Sequence, residues 1–213
     1  MAAGGRELVT RVEQVGGFIL AGGESSRMGR DKALLEFGGV ALIVWTAKLV
    51  ESAASRCAIV GDAVRLEGLE LRVIEDDFPG AGPLGGIATA LRASSAEWNL
   101  VVACDLPYLT REWLEFLIGR AVRSDAAAVL PMNERGAEPL CAMYRKPTEG
   151  AIRAALDRGV RKVTDGLTDV RVEFIEPREW KSFDSDGLLF KNMNSPADYE
   201  EAKSRLDDGR LKR

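Results

Sequence analysis

The sequence contains no histidine among its 213 residues. That absence excludes Ser-His-Asp and Cys-His nucleophilic mechanisms and every His-based metal site together. Cysteine is nearly as scarce. Cys57, Cys104 and Cys141 are odd in number and far apart, with neither metal-ligand spacing nor a secreted disulfide framework. They read as reduced, mostly buried thiols, and the expected compartment is cytoplasmic. No apolar run approaches the length of a membrane span, so no membrane partner is expected. The opening MAAGGRELVTRVEQVGG lacks the apolar segment of a signal peptide. Positive charge is not in excess either. A net charge of −4 disfavours a general nucleic-acid binder. Any anion site must therefore be a local basic cluster.

Hydrophobic residues, at 46 %, are enough for a sizeable core and make disorder a poor reading. Short apolar runs alternate with helical patterns, without internal repeats or low-complexity segments. Val15–Leu20, RCAIVG, LRVIED, WNLVVACD and AAAVLP read as strands. Val40–Ala53, PLGGIATALRAS and a segment entered at Thr110 read as helices, Thr110 being the N-cap. In the second half PLCAMYR is a strand, TEGAIRAALDRG a helix, and VRVEFIE alternates like an edge strand. The last helix is well marked: Ser195 is its N-cap, Pro196 its first residue and Asp198 its capping acid. Continuous apolar strands between helices predict an α/β fold, a Rossmann-like three-layer α/β/α sandwich around a mostly parallel, mixed sheet. The chain reads as one domain over 1–213 without a linker, with 1–14 as an N-terminal extension.

The stretch LAGGESSRMGRDKALL leaves the first strand at the edge where open α/β sheets bind ligands. It fits neither standard phosphate loop. Counted from Gly22, the dinucleotide pattern meets Glu24 and Arg27 where it needs glycines. In GRDKA two residues separate Gly29 from Lys32, so the P-loop pattern fails as well. Gly22 and Gly23 still permit close backbone approach to a ligand, and Arg27 and Lys32 supply two cations for a polyphosphate. A solvated loop with ordinary charges is the competing reading. Asp105 closes an apolar strand, and Pro107 stops further pairing, so a carboxylate points to the ligand edge. It reads as a Mg²⁺ ligand, because Mg²⁺ needs few protein ligands when phosphates supply the rest. A turn aspartate is the alternative. Asn192 and Asn194 in NMNSP alternate, so an extended segment turns both to one side.

GAGPLG also matches a dinucleotide fingerprint through Gly80, Gly82 and Gly85, with Asp105 at a suitable distance for a ribose. Three features oppose that reading. Glu75, Asp76, Asp77 and Phe78 intervene after the strand, the three acids repel a pyrophosphate, and Pro83 is expected to spoil the tight turn into a helix.

LAGGESSRMGRDKALLEFGG closely resembles the signature loop of the molybdenum cofactor guanylyltransferases, LAGG-x-S-x-R-M-G-x-D-K-x-L-L. Asp31-Lys32 favours that branch over sugar-phosphate relatives, which carry Pro-Lys. The likeness runs in order from about Gly17 to Leu206. It implies the nucleotide-diphospho-sugar transferase fold, with a nucleotide-binding half over about 16–110 and an acceptor-binding half over about 111–206. It implies a Mg²⁺-dependent transfer of GMP from GTP to molybdopterin or molybdenum cofactor, with pyrophosphate released, and exchange with cofactor-supplying and cofactor-receiving proteins. By the same resemblance Arg27, Lys32 and Asp105 are catalytic. Leu20, Ala21, Gly22, Gly23, Lys32, Gly61, Asp76, Gly82, Gly86 and Asp105 line the nucleotide. Arg161, Lys162, Asn192 and Asn194 meet the acceptor, and Asn194 joins Asp105 at the metal. Two positions depart from relatives: Gly61 stands where asparagine is frequent, and Glu138 where histidine is. Three alternatives stay open: a cytidylyltransferase or another nucleotidyltransferase for a phosphorylated acceptor, an NAD-type oxidoreductase using the Gly80 loop, and a non-catalytic adaptor that keeps the pocket.

Overall fold

The computed structural model describes residues 15–22 and 31–211. In chain order the elements are β1 (Val15–Leu20), a 3₁₀ turn (Lys32–Leu34), β2 (Glu36–Phe37), β3 (Val40–Ala41) and α1 (Leu42–Ala53). Then come β4 (Arg56–Val60), β5 (Val73–Ile74), α2 (Pro83–Ala93), β6 (Trp98–Ala103) and α3 (Arg111–Ala121). The second half adds β7 (Ala128–Asn133), β8 (Gly136–Ala137), β9 (Cys141–Arg145), α4 (Thr148–Asp157), α5 (Val163–Gly166) and β10 (Val172–Ile175). It ends with α6 (Pro177–Trp180), a second 3₁₀ turn (Lys181–Phe183) and α7 (Pro196–Asp207).

The main sheet has the order β10-β7-β9-β6-β1-β4-β5, with β8 paired to β7 alone. β1 pairs in parallel with β4 and β6, β5 pairs in parallel with β4, and β10 with β7. β9 runs antiparallel to both β6 and β7, so the sheet is mixed as expected. Strands of the first half occupy one side of the sheet and those of the second half the other. β1 and β6 alternate between two cores. Ile19, Leu100 and Val102 pack with Ile43 and Val50 of α1 and with Trp113 and Leu117 of α3. Phe18, Leu20 and Val101 pack with Leu84 and Ile87 of α2 and with Ile152 and Leu156 of α4. A strand buried on both faces reads as a continuous apolar run, which explains its legibility.

The expected helix from Val40 begins two residues later. Val40 and Ala41 instead pair with Glu36 and Phe37 in a short hairpin. That hairpin belongs to a third cluster, where Phe37, Leu42, Trp45, Tyr108, Met193 and Ala202 meet. Phe37 and Trp45 stack edge to face with centroids 5.0 Å apart. This cluster docks the C-terminal helix beside the end of β6. The predicted caps are present: Thr110 accepts from Trp113 N, and Ser195 and Asp198 form a reciprocal capping box.

Candidate functional site

β1 is the strand at which the chain changes direction across the sheet. Its connection through α1 leads to β4 on one side, and the connection through α2 leads to β6 on the other. The loops at the carboxyl ends of such strands diverge and leave a crevice. Here a cavity of about 650 Å³ opens at that edge. Leu20, Ala21 and Gly22 line it from β1, Ala103, Cys104 and Asp105 from β6, and Asp31, Lys32 and Ala33 from the 3₁₀ turn. Asp76, Gly80, Gly82, Pro83 and Gly86 complete it from the approach to α2.

Lys32 is the hub. Its Nζ donates to Asn194 Oδ1 at 2.7 Å and lies 3.7 Å from Asp105 Oδ2, with both members of the pair largely screened from solvent. Asp105 Oδ1 in turn accepts from Asn192 Nδ2 at 3.2 Å. The segment's geometry follows from its middle residue. Met193 is buried in the third cluster and its N–H donates to the Asp105 carbonyl at 2.9 Å. With Met193 turned inward, extended backbone turns its two neighbours to the other side. Three motifs separated in sequence thus converge on one carboxylate.

Asp76 is anchored on its Oδ1, which accepts from Phe78 N and from Thr89 Oγ1, both at 3.0 Å. Its acidic neighbours are occupied elsewhere: Glu75 accepts from Ala63 N, and Asp77 takes two charge-assisted bonds from Arg92. Gly82 has φ +71°, a conformation strained for any other residue, and it caps α2. The N-terminus of this 11-residue helix lines the cavity and presents the positive end of its dipole there. A Cβ on Gly86 would stand 3.2 Å from Leu20 Cδ2, so α2 approaches β1 closely.

The expectation that Pro83 spoils the turn into a helix is overturned. Pro83 is the first residue of α2, where its missing N–H costs nothing. The intervening segment after β5 remains as read. Gly61 does not line the cavity; its N–H donates to Ile74 O, and a Cβ there would meet Ala21. Arg161 and Lys162 do not line it either. Arg161 donates to the Leu156 and Val160 carbonyls, and Lys162 pairs with Asp165 in an exposed contact. Gly23 and Arg27 lie outside the described residues.

Two contributors were not foreseen. Arg65 lines the cavity from the turn after β4, and Thr89 holds Asp76 from within α2. Neither had a spacing signal, since one looks like a solvated turn cation and the other like a small helix residue. Cys104 also lines the cavity, but burial, reinforced by Asp105, pushes its thiol up to about 12. It is no nucleophile at neutral pH. Burial likewise raises the Glu138 carboxyl, against a hydrogen bond from Asn133.

Among the described residues no three acidic or cysteine side chains form a metal cage. The donor set is one carboxylate held by an amide at the cavity wall. It suits a hard cation that draws most of its oxygens from a phosphate substrate. Asn194 Oδ1 accepts from Lys32, so a cation at that oxygen would have to share it with an ammonium, which repels it.

Residues 17–172 match the model of the MobA-like NTP transferase domain. The chain is 35 % identical over 202 residues to a probable molybdenum cofactor guanylyltransferase of Pelotomaculum thermopropionicum, covering 94 % of this chain and 97 % of that one. It is 36 % identical over 182 residues to a probable enzyme of the same name from Carboxydothermus hydrogenoformans, covering 85 % and 91 %. The crystal structure of molybdopterin-guanine dinucleotide biosynthesis protein A from Archaeoglobus fulgidus superimposes with a TM-score of 0.80 at 27 % identity, covering 91 % and 99 %.

Proposed function

The chain belongs to the MobA-like NTP transferase family, and from that premise we propose that it transfers GMP from GTP to molybdopterin or its molybdenum-loaded form. It is a nucleotidyltransferase with the nucleotide-diphospho-sugar transferase fold. The observation that carries the assignment of roles is the meeting of Lys32 and Asp105 at one cavity wall, with Asn194 bonded to Lys32 from beside it. The acceptor's terminal phosphate oxygen attacks the α-phosphorus of GTP. That P–O bond forms as the bond to the β-phosphate breaks, and pyrophosphate leaves. The nucleophile is already an anion, so no strong general base is needed, and a chain without histidine can serve.

Catalysis then rests on alignment and charge neutralisation. Lys32 neutralises the triphosphate and the charge developing on pyrophosphate, assisted by Arg27. The backbone of Leu20, Ala21, Gly22 and Gly23 and the α2 N-terminus, with Gly82 and Gly86, approach the nucleotide. Asp76 contacts the nucleoside, and Gly61 contributes backbone alone behind Ala21. Asp105 holds Mg²⁺, with Asn192 fixing its rotamer. When bound, Mg²⁺ polarises phosphate oxygens and screens their charge. Asn192, Asn194, Arg161 and Lys162 form the acceptor side. The chain works as one domain, with 16–110 the nucleotide half and 111–206 the acceptor half. Three free cysteines accord with a cytoplasmic setting. Among the described residues no helix is long and apolar enough to cross a membrane.

The test is turnover of Asp105→Ala and Lys32→Ala. Each should lose at least roughly 100-fold in GTP-dependent pyrophosphate release while circular dichroism stays native. Near-normal turnover in both would refute the roles.

A further inference from the structure

Arg65 belongs to none of the sequence motifs, yet its guanidinium joins two points of the cavity wall. Nη2 donates to the Ala21 carbonyl at the end of β1, and Nε lies 2.9 Å from Asp31 Oδ2 in an ion pair that lacks hydrogen-bond alignment. Asp31 uses its other oxygen, Oδ1, to accept from Ala33 N at 3.0 Å, capping the 3₁₀ turn that begins at Lys32. Arg65 is itself held from behind, because its N–H donates to Asp62 Oδ1 at 3.0 Å in the turn leaving β4. Contacts therefore run unbroken from β4 through Arg65 and Asp31 to the backbone that carries Lys32. Lys32 then reaches Asn194 and Asp105.

We propose that Arg65 is a positioning residue that sets Lys32 at the reacting phosphates by clasping Ala21 and Asp31 together. The proposal rests on the guanylyl-transfer reading of the cavity. The chemistry suits arginine in particular. Its planar guanidinium places one nitrogen on a carbonyl while another faces a carboxylate as an ion pair, whereas lysine carries one ammonium on a flexible stem. Asp31 acquires a specific task as well: one oxygen caps the turn and the other takes the clasp. The Asp-Lys order of the loop thus couples the cap to the cation.

The test is steady-state pyrophosphate release by the full chain with GTP, Mg²⁺ and molybdopterin, comparing Arg65→Gln, Arg65→Lys, Asp31→Asn and the Arg65→Gln/Asp31→Asn double variant. Asp31→Asn keeps an oxygen to cap Ala33 and loses the charge. Should Arg65→Gln fail to fold by circular dichroism, Asp31→Asn and Arg65→Lys carry the test. A displaced Lys32 should lower kcat by 10- to 100-fold, on the order expected for a misplaced catalytic group, with a smaller change in KM. Arg65→Lys should recover little, and the double variant should be no worse than the poorer single one. A rise in KM alone would show a direct nucleotide contact and overturn the proposal, as would multiplying losses in the double variant. Wild-type turnover with an equally active Arg65→Gln overturns the positioning role and leaves the guanylyl-transfer reading standing. A wild-type chain that releases no pyrophosphate overturns that reading and this role with it.

Discussion

Thr89 shows how a single hydroxyl serves the site. It is fully buried in α2, donates to Asp76 Oδ1 or to Gly85 O, and accepts from Asp77 N. Thr89→Val keeps the shape and removes those bonds. A net hydrogen bond is worth about 0.5–1.5 kcal/mol, so KM for GTP should rise roughly 2- to 10-fold with kcat little changed. An unaltered KM in steady-state kinetics would separate Asp76 from nucleotide binding. The thiols give a second prediction at this scale. Burial, first of all, pushes Cys57, Cys104 and Cys141 each to about 12. Iodoacetamide at pH 8 should therefore leave the folded chain unmodified on a timescale that alkylates the unfolded one, as read by mass spectrometry. Cys57 and Cys104 are only partly shielded from solvent, and Cys104 lines the cavity, so rapid labelling of Cys104 would contradict its raised thiol. Asp105 was legible because an apolar strand ends at it, and Lys32 because it stands in the glycine-rich loop that carries the family resemblance. Thr89 and Arg65 were not, because their partners come from other segments and exist only after folding.

The NMNSP segment is the element that joins the two halves of the site. Its register is set by Met193 in the core and by the Ser195–Asp198 box at the start of α7. Met193→Ala should cost about 2–5 kcal/mol of stability from lost packing, measured by urea denaturation. It should also lower turnover, because Asn192 and Asn194 lose their support. Ser195→Ala should cost only ~1 kcal/mol, the usual value of a lost cap. Equal, negligible costs would mean that the segment is not held as described. The alternation of Asn192 and Asn194 and the capping signals were readable directly from residue types. The contact of the segment with Asp105 was not, since it depends on the third cluster closing around Phe37 and Trp45. The hairpin before α1 escaped for a similar reason: Val40 and Ala41 suit a helix locally, and their pairing with Glu36 and Phe37 prevails.

At the scale of the molecule, the mixed sheet sets strands from the first half of the chain on one side and those from the second half on the other, and its edge strand β10 is tied to the helical layer. Glu173 of β10 accepts from Arg120 of α3 and from Ser124. Partial burial pushes its carboxyl up, but the Ser124 hydroxyl and the Arg120 guanidinium outweigh that and hold it below its ordinary 4.5. A folded-state value lower than the unfolded one stabilises above about 4.5, and that stability is lost as pH falls through the depressed value. Glu173→Gln should therefore melt below wild type at pH 7, with the gap closing in acid. A gap constant across pH would exclude the charge as its source. The layered fold was legible because both faces of β1, β4 and β6 are apolar. The base that the cavity selects was far less so, because glycines and backbone carry few distinguishing groups. Guanylyl transfer is tested most directly by measuring pyrophosphate release from GTP, CTP, ATP and UTP, each with and without molybdopterin and Mg²⁺. Release is expected from GTP alone, and only when acceptor and metal are both present. Preferential release from CTP, or none from any nucleotide, would contradict it.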